Sequence, residues 1–84
     1  MPTSKIRLTL MFREYCSLCH AMLAALNELP SRRQFELDIV DVDADPVLEE
    51  RYNELVPVLL AGERELCHYH LDNAALDAYL ASIG

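Results

Sequence analysis

Apolar residues recur along the chain with two different periods, and the changes from one to the other divide it into strands and helices. Ile6 to Phe12 (IRLTLMF) is a compact apolar run with β-branched members, suited to a buried strand. Arg13-Glu14-Tyr15 breaks the run and carries the chain to Cys16. From Ser17 to Leu29 the residues Leu18, Met22, Leu26 and Leu29 fall at steps of four, four and three, which predicts one face of a helix. Ala21, Ala24 and Ala25 favour that helix, Pro30 stops it, and Ser31-Arg32-Arg33 makes a loop. Phe35 to Val42 then alternates. Phe35, Leu37 and Ile39 share one side, Glu36 and Asp38 the other, and Val40 and Val42 make both faces apolar toward the end of a second strand.

The second half follows the same rules. Asp45 is placed to cap a short helix that has Pro46 in its first turn and runs to about Asn53. Val56 to Ala61 (VPVLLA) predicts a third strand, and Gly62-Glu63 a hairpin turn into a fourth, Glu65 to Leu71. Asp72 or Asn73 caps a last helix with Leu76, Leu80 and Ile83 as its stripe, flanked by Ala75 and Tyr79. The order β-α-β-α-β-β-α predicts an α/β domain with a four-stranded mixed sheet and helices on both faces. A right-handed crossover makes the first two strands parallel, and the final hairpin adds two antiparallel ones.

Composition narrows what such a domain does. At 84 residues there is room for a single domain, residues 1–84, and 52% hydrophobic residues can fill its core without staples. No apolar stretch approaches the roughly 20 residues of a membrane span. The segment Met1 to Arg7 runs straight into a short, charge-broken strand, unlike a secretion signal, so a cytoplasmic, monomeric protein is expected. The net charge of −7 repels phosphate backbones and argues against nucleic acid as a partner. Three cysteines, two of them close together, are too few for a secreted disulfide framework and point to redox or metal chemistry.

That chemistry centres on Cys16-Ser17-Leu18-Cys19, where the first strand gives way to the first helix. Residues three apart share a helix face, so the two sulfurs can reach disulfide distance. Cys16 would sit among unpaired N–H groups at the positive end of the helix, which favour the thiolate, and Arg13 can add charge nearby. Other uses of the pair stay open. Two cysteines at this spacing are half of a zinc site that Cys67 with His68 or His70 could complete. With His20 the motif also spells the c-type haem attachment pattern, for which the chain has no evident room. The pair could also be inert packing, though a strand-to-helix junction is an odd place for it.

The chain resembles the glutaredoxin branch of the thioredoxin superfamily over nearly its whole length. The shared features are C-x-x-C after the first strand, Val56-Pro57 opening the third, and a capped final helix at Asp72. More closely, it is similar to small bacterial glutaredoxin-like proteins with a C-x-L-C pair, an acidic D-V-D-x-D-P segment (Asp41 to Pro46) and R-Y…V-P-V-L (Arg51, Tyr52, Val56 to Leu59). The resemblance implies a thioredoxin/glutaredoxin fold with Val56-Pro57 as a cis peptide facing the cysteines, where the Val56 backbone could pair with a substrate peptide. It also implies that Arg13 and Asp72 contact glutathione. The Gly-Gly that usually precedes that aspartate is replaced by Tyr69-His70-Leu71, the motif has Ser17 where proline is common, and no Trp precedes Cys16.

Other polar clusters carry less. Asp41, Asp43 and Asp45 have the spacing that opens a calcium loop, but Pro46 and Tyr52 occupy positions that need Gly and Glu. Alternation along the fourth strand places Cys67 with Tyr69, opposite His68 and His70, which suggests a packing role for Cys67. His20 reads as solvent-exposed. The expectation is therefore a glutaredoxin-like dithiol–disulfide oxidoreductase with Cys16 and Cys19 as its catalytic residues. Arg13, Tyr15, Val56, Pro57 and Asp72 would hold the substrate, a protein disulfide or a glutathione mixed disulfide. No cofactor or metal is required, and glutathione is a candidate co-substrate. The alternative is a non-catalytic thioredoxin-fold binding module, with or without zinc on the cysteines.

Overall fold

The computed structural model describes residues 6–83, with the side chain of Ile83 excepted. The N-terminal reading of residues 1–5 and the Ile83 end of the last apolar stripe lie outside the described residues. The elements follow as β1 (Ile6–Phe12), α1 (Ser17–Asn27), β2 (Phe35–Asp41), α2 (Pro46–Tyr52), β3 (Val58–Ala61), β4 (Arg64–His68) and α3 (Asn73–Ile83). One sheet has the strand order β2-β1-β3-β4, with β1 and β2 parallel and the other neighbours antiparallel. The mixed sheet with helices packed on it is as expected. Among the described residues no helix is long and apolar enough to cross a membrane.

Alternation along the strands splits the core in two. Leu8 and Leu10 of β1, Phe35 of β2 and Leu59 and Ala61 of β3 meet Met22 and Leu26 of α1 and Leu76 and Leu80 of α3. On the other side Met11, Val42, Val56, Val58 and Leu60 pack with Cys19, and Leu48 and Tyr52 of α2 lie against them half-buried.

Several boundaries differ from the sequence reading, each for a local reason. The buried stripe of α1 is Cys19, Met22 and Leu26, while Leu18 is 37% exposed, so the helix is turned about one residue from the expected phase. Pro30 starts a 3-10 turn, Pro30–Gln34, in place of a loop. β2 ends at Asp41, and Val42 is buried from a second 3-10 turn, Val42–Ala44. Ile39 is about half exposed because β2 is an edge strand with one flank open to solvent. β3 begins at Val58, after the turn that holds Val56-Pro57.

β4 stops at His68, three residues early. Tyr69 takes φ +65°, a left-handed backbone that no strand accommodates, and the His70 N–H closes onto the His68 carbonyl at 2.7 Å. The alternation expected to carry through Tyr69 and His70 therefore ends before them. The hairpin turn falls at Gly62-Glu63 as expected, with Gly62 at φ +64° between the paired residues Ala61 and Arg64.

Candidate functional site

Cys16 is the N-cap of α1, at φ −114° and ψ 108°, and its sulfur does what a capping oxygen does elsewhere. The Cys19 N–H donates to Cys16 Sγ at 3.1 Å, and the His20 N–H donates to the Cys16 carbonyl at 3.2 Å. A half-buried sulfur thus faces the N–H groups and positive dipole end of the helix, which stabilise negative charge on it. Cys19, one turn on, has no exposed surface. Burial, hydrogen bonding to Cys16 and the like charge of Cys16 push its thiol up to about 12, partly offset by the Arg13 backbone and charge. Both cysteines are free thiols.

Val56-Pro57 is a cis peptide, and it lies at the pair as the resemblance implied. The Cys16 thiol points to the Val56 carbonyl at 3.9 Å. The Val56 N–H is already taken, donating to the Tyr52 carbonyl at 3.2 Å, so Val56 offers an incoming strand only its acceptor. The Pro57 carbonyl accepts the Tyr69 N–H at 2.9 Å, which ties the end of β4 to the same turn.

Arg13 lies beside the pair but turns away from open solvent. Its Nε and one terminal nitrogen reach Asp43 Oδ1 at 3.0 and 2.9 Å. The guanidinium also donates to Asn53 Oδ1 at 3.1 Å and the Asn53 carbonyl at 3.4 Å, with Glu49 at 3.6 Å. The loop before Cys16 is thereby clasped to both ends of α2. Tyr15 is 93% exposed immediately before Cys16. Asp72 caps α3, its Oδ1 accepting the Ala75 N–H at 3.0 Å.

The remaining candidates have local work. The Asp41 and Asp45 carboxylates accept the N–H groups of Asp43 and Val47, each at 2.9 Å, as turn and helix caps. Cys67 is half-buried against the larger core, and burial pushes its thiol up. Among the described residues no three His, Cys, Asp or Glu side chains gather where they could hold a metal ion, so Cys67 and its neighbouring histidines do not complete a site with the pair. His20 is exposed as expected, yet it has partners. Its Nε2 lies 2.8 Å from the Glu14 carbonyl, and its ring stands edge-on to Phe12.

Sequence reasoning missed Asp43, Glu49 and Asn53 as the partners of Arg13, since nothing local links residues at least thirty positions away. It also missed a shallow apolar pocket of about 210 Å³ beside the pair, between Leu18, Ala21, Met22 and Ala25 of α1 and residues 69–71. Leu18 at the second variable position of the motif was the available signal for it.

Comparisons with known proteins agree with this geometry. A Nitrosomonas europaea protein solved by NMR is 38% identical, covers 94% of this chain and 95% of its own, and superposes with a TM-score of 0.78. A structural-genomics protein from X. campestris is 33% identical, with 89% and 96% coverage and a TM-score of 0.67. An uncharacterized protein of Mycobacterium tuberculosis is 29% identical over 93% of this chain and 86% of its own. The Drosophila thioredoxin Deadhead, at 23% identity and a TM-score of 0.54 over 95% and 82%, shares the thioredoxin fold. The glutaredoxin-like domain family (DUF836) matches residues 7–81, and the chain belongs to that family.

Proposed function

We propose that this protein is a thiol–disulfide oxidoreductase in which Cys16 is the nucleophile and Cys19 the resolving thiol. The observation that carries the reading is the asymmetry of the pair. One sulfur is half-buried at a helix N-cap and accepts an N–H, while the other is fully buried and held protonated beneath it.

Cys16 as thiolate attacks one sulfur of a substrate disulfide. The substrate S–S bond breaks, and its other sulfur leaves and takes up a proton. In the resulting mixed disulfide Cys16 carries no charge. Two of the causes that raise the Cys19 pKa, its hydrogen bond to Cys16 and the like charge, are then gone. Cys19 gives up its proton more readily at the moment its nucleophile is needed. Its sulfur attacks Cys16 Sγ, the second substrate thiol is released, and a Cys16–Cys19 disulfide remains. Two electrons and two protons have passed to the substrate. A dithiol, or two molecules of glutathione, would restore the protein. Tyr15, Val56 and Pro57 border the attacking sulfur and would meet the substrate, a protein disulfide or a glutathione mixed disulfide.

The test is reduction of a protein disulfide and of a glutathionylated peptide by wild type, Cys16→Ser and Cys19→Ser. Wild type is expected to turn over at least one substrate, Cys16→Ser neither, and Cys19→Ser to accumulate the mixed disulfide. A wild type inert toward both substrates would overturn the reading in favour of a non-catalytic binding module.

A further inference from the structure

Six large apolar side chains stand exposed among the described residues: Tyr15, Leu18, Ile39, Val47, Leu55 and Tyr69. Four of them surround the thiol site. Tyr15 precedes Cys16 and Leu18 precedes Cys19 in the motif. Leu55 precedes Val56, whose carbonyl faces Cys16, and the Tyr69 N–H is bonded to the Pro57 carbonyl. Such clustering of exposed apolar surface marks a contact site.

Tyr69 adds a second observation. It holds φ +65°, a backbone that glycine adopts freely and tyrosine does not. With Leu18 it lines the apolar pocket of about 210 Å³ beside the pair. An apolar cavity of about 150 Å³ takes a benzene ring, so this one has room for one apolar side chain. A strained residue kept at the rim of a pocket points from the outlier to a function for its side chain.

Polar recognition is meanwhile withdrawn. The cation of the loop before Cys16, Arg13, is committed to Asp43, Asn53 and Glu49. The Val56 N–H is committed to Tyr52. The residues flanking the apolar ring in sequence include Glu14, Glu54 and Asp72, on a chain of net charge −7. An anionic tripeptide such as glutathione meets carboxylates here, whereas lysines and arginines beside an apolar contact are attracted.

We propose that the site takes cysteines of a partner protein that lie in an extended segment with apolar neighbours and cationic flanks, one apolar side chain seated between Leu18 and Tyr69, in preference to glutathione mixed disulfides. This rests on the dithiol reading above. The transfer is the same exchange: the partner's sulfur bonds to Cys16 as the partner's own S–S bond breaks, and Cys19 then displaces it.

The experiment uses three activated disulfides of one leaving group, 2-nitro-5-thiobenzoate, whose release is coloured. They are carried by the peptides acetyl-Lys-Leu-Cys-Leu-Lys-amide and acetyl-Asp-Ser-Cys-Ser-Asp-amide and by glutathione. Rates with reduced wild-type protein are divided by rates with 2-mercaptoethanol, to remove intrinsic reactivity. The Leu/Lys peptide is expected to react at least tenfold faster than the other two, with the advantage shrinking in high salt. In Tyr69→Gly, which relieves the backbone, the urea midpoint should hold or rise while the advantage falls below threefold. A merely structural Tyr69 would leave the preference intact, and that result overturns the proposal. So do equal rates for all three, or a faster rate with glutathione, and both of these leave the dithiol reading standing. No release from any of the three removes both.

Discussion

On one face of the sheet, Leu8, Leu10 and Phe35 are sealed by two eleven-residue helices that each press an apolar stripe onto them. On the other face the covering helix, α2, has seven residues and buries none of them fully. It is held by half-buried Leu48 and Tyr52, by the Asp45 cap and by the Arg13 clasp. Yet the second face contains Cys19, Val56 and the cis-proline turn. The domain places its stability on the side that does no chemistry and builds the thiol site on the side held by fewer and more polar contacts. Regions that must admit a partner are commonly drawn from the less stable parts of a fold.

The largest test of this contrast is a pair of core truncations. Phe35→Ala should cost about 3–5 kcal/mol in urea unfolding, the usual loss for a buried phenylalanine. Val42→Ala, fully buried on the other face, should cost roughly 1–2 kcal/mol from the lost methyl groups. If Val42→Ala proved the more damaging, the division of labour would be wrong.

Next in size is a pH effect confined to the smaller core. The Cys19 thiol is pushed from its ordinary 9.0 up to about 12, chiefly by burial. Between those values the unfolded chain loses the proton and the folded chain keeps it, so the folded state binds more protons and stability falls as pH rises. The contribution is fully present below pH 9 and gone by about 12. Urea midpoints of the reduced protein at pH 8 and 10.5 should therefore drop more in wild type than in Cys19→Ala. Equal drops would mean that Cys19 is not held protonated.

The helix caps sharpen the comparison further. Asp45→Ala and Asp72→Ala each remove one side-chain cap, a loss of about 1 kcal/mol. The consequences should differ in kind. α3 has Leu76 and Leu80 to hold it and should keep its amide protection, whereas α2 should exchange faster along its length. Uniform protection in both variants would show α2 to be better anchored than its packing suggests.

The features that obeyed local rules were legible in the sequence. Asp45 and Pro46 open a helix, Gly62-Glu63 turns a hairpin, and Cys16 falls at a strand-to-helix junction, each because a few neighbouring residues decide it. What could not be read depended on distant partners or on a residue acting out of type. Leu18 was assigned to the core and Cys19 to chemistry, but Cys19 packs as a core residue and Leu18 faces outward. Tyr69 adopts a backbone that no propensity assigns to tyrosine, so β4 ran too long in the sequence reading. Arg13 looked like a free cation beside the thiol because its partners arrive only when α2 folds over.

The smallest expected effect separates the two arginines of β1 and the loop that follows it. Arg7 pairs with Glu36 and Asp38 across β1 and β2 much as Arg13 pairs with Asp43 and Glu49. The Arg7 side chain is 61% exposed and that of Arg13 22%. Exposed pairs are screened by water and salt and offset by the entropy of fixing two long side chains. Arg7→Gln should thus leave the urea midpoint unchanged within error, at low and at high salt alike. Arg13→Gln should lower it measurably and speed amide exchange in α2, because that guanidinium alone bridges the cysteine loop to both ends of the helix. Were the two substitutions equivalent, the clasp would be one more surface ion pair, and the hold on α2 would have to come from Leu48 and Tyr52.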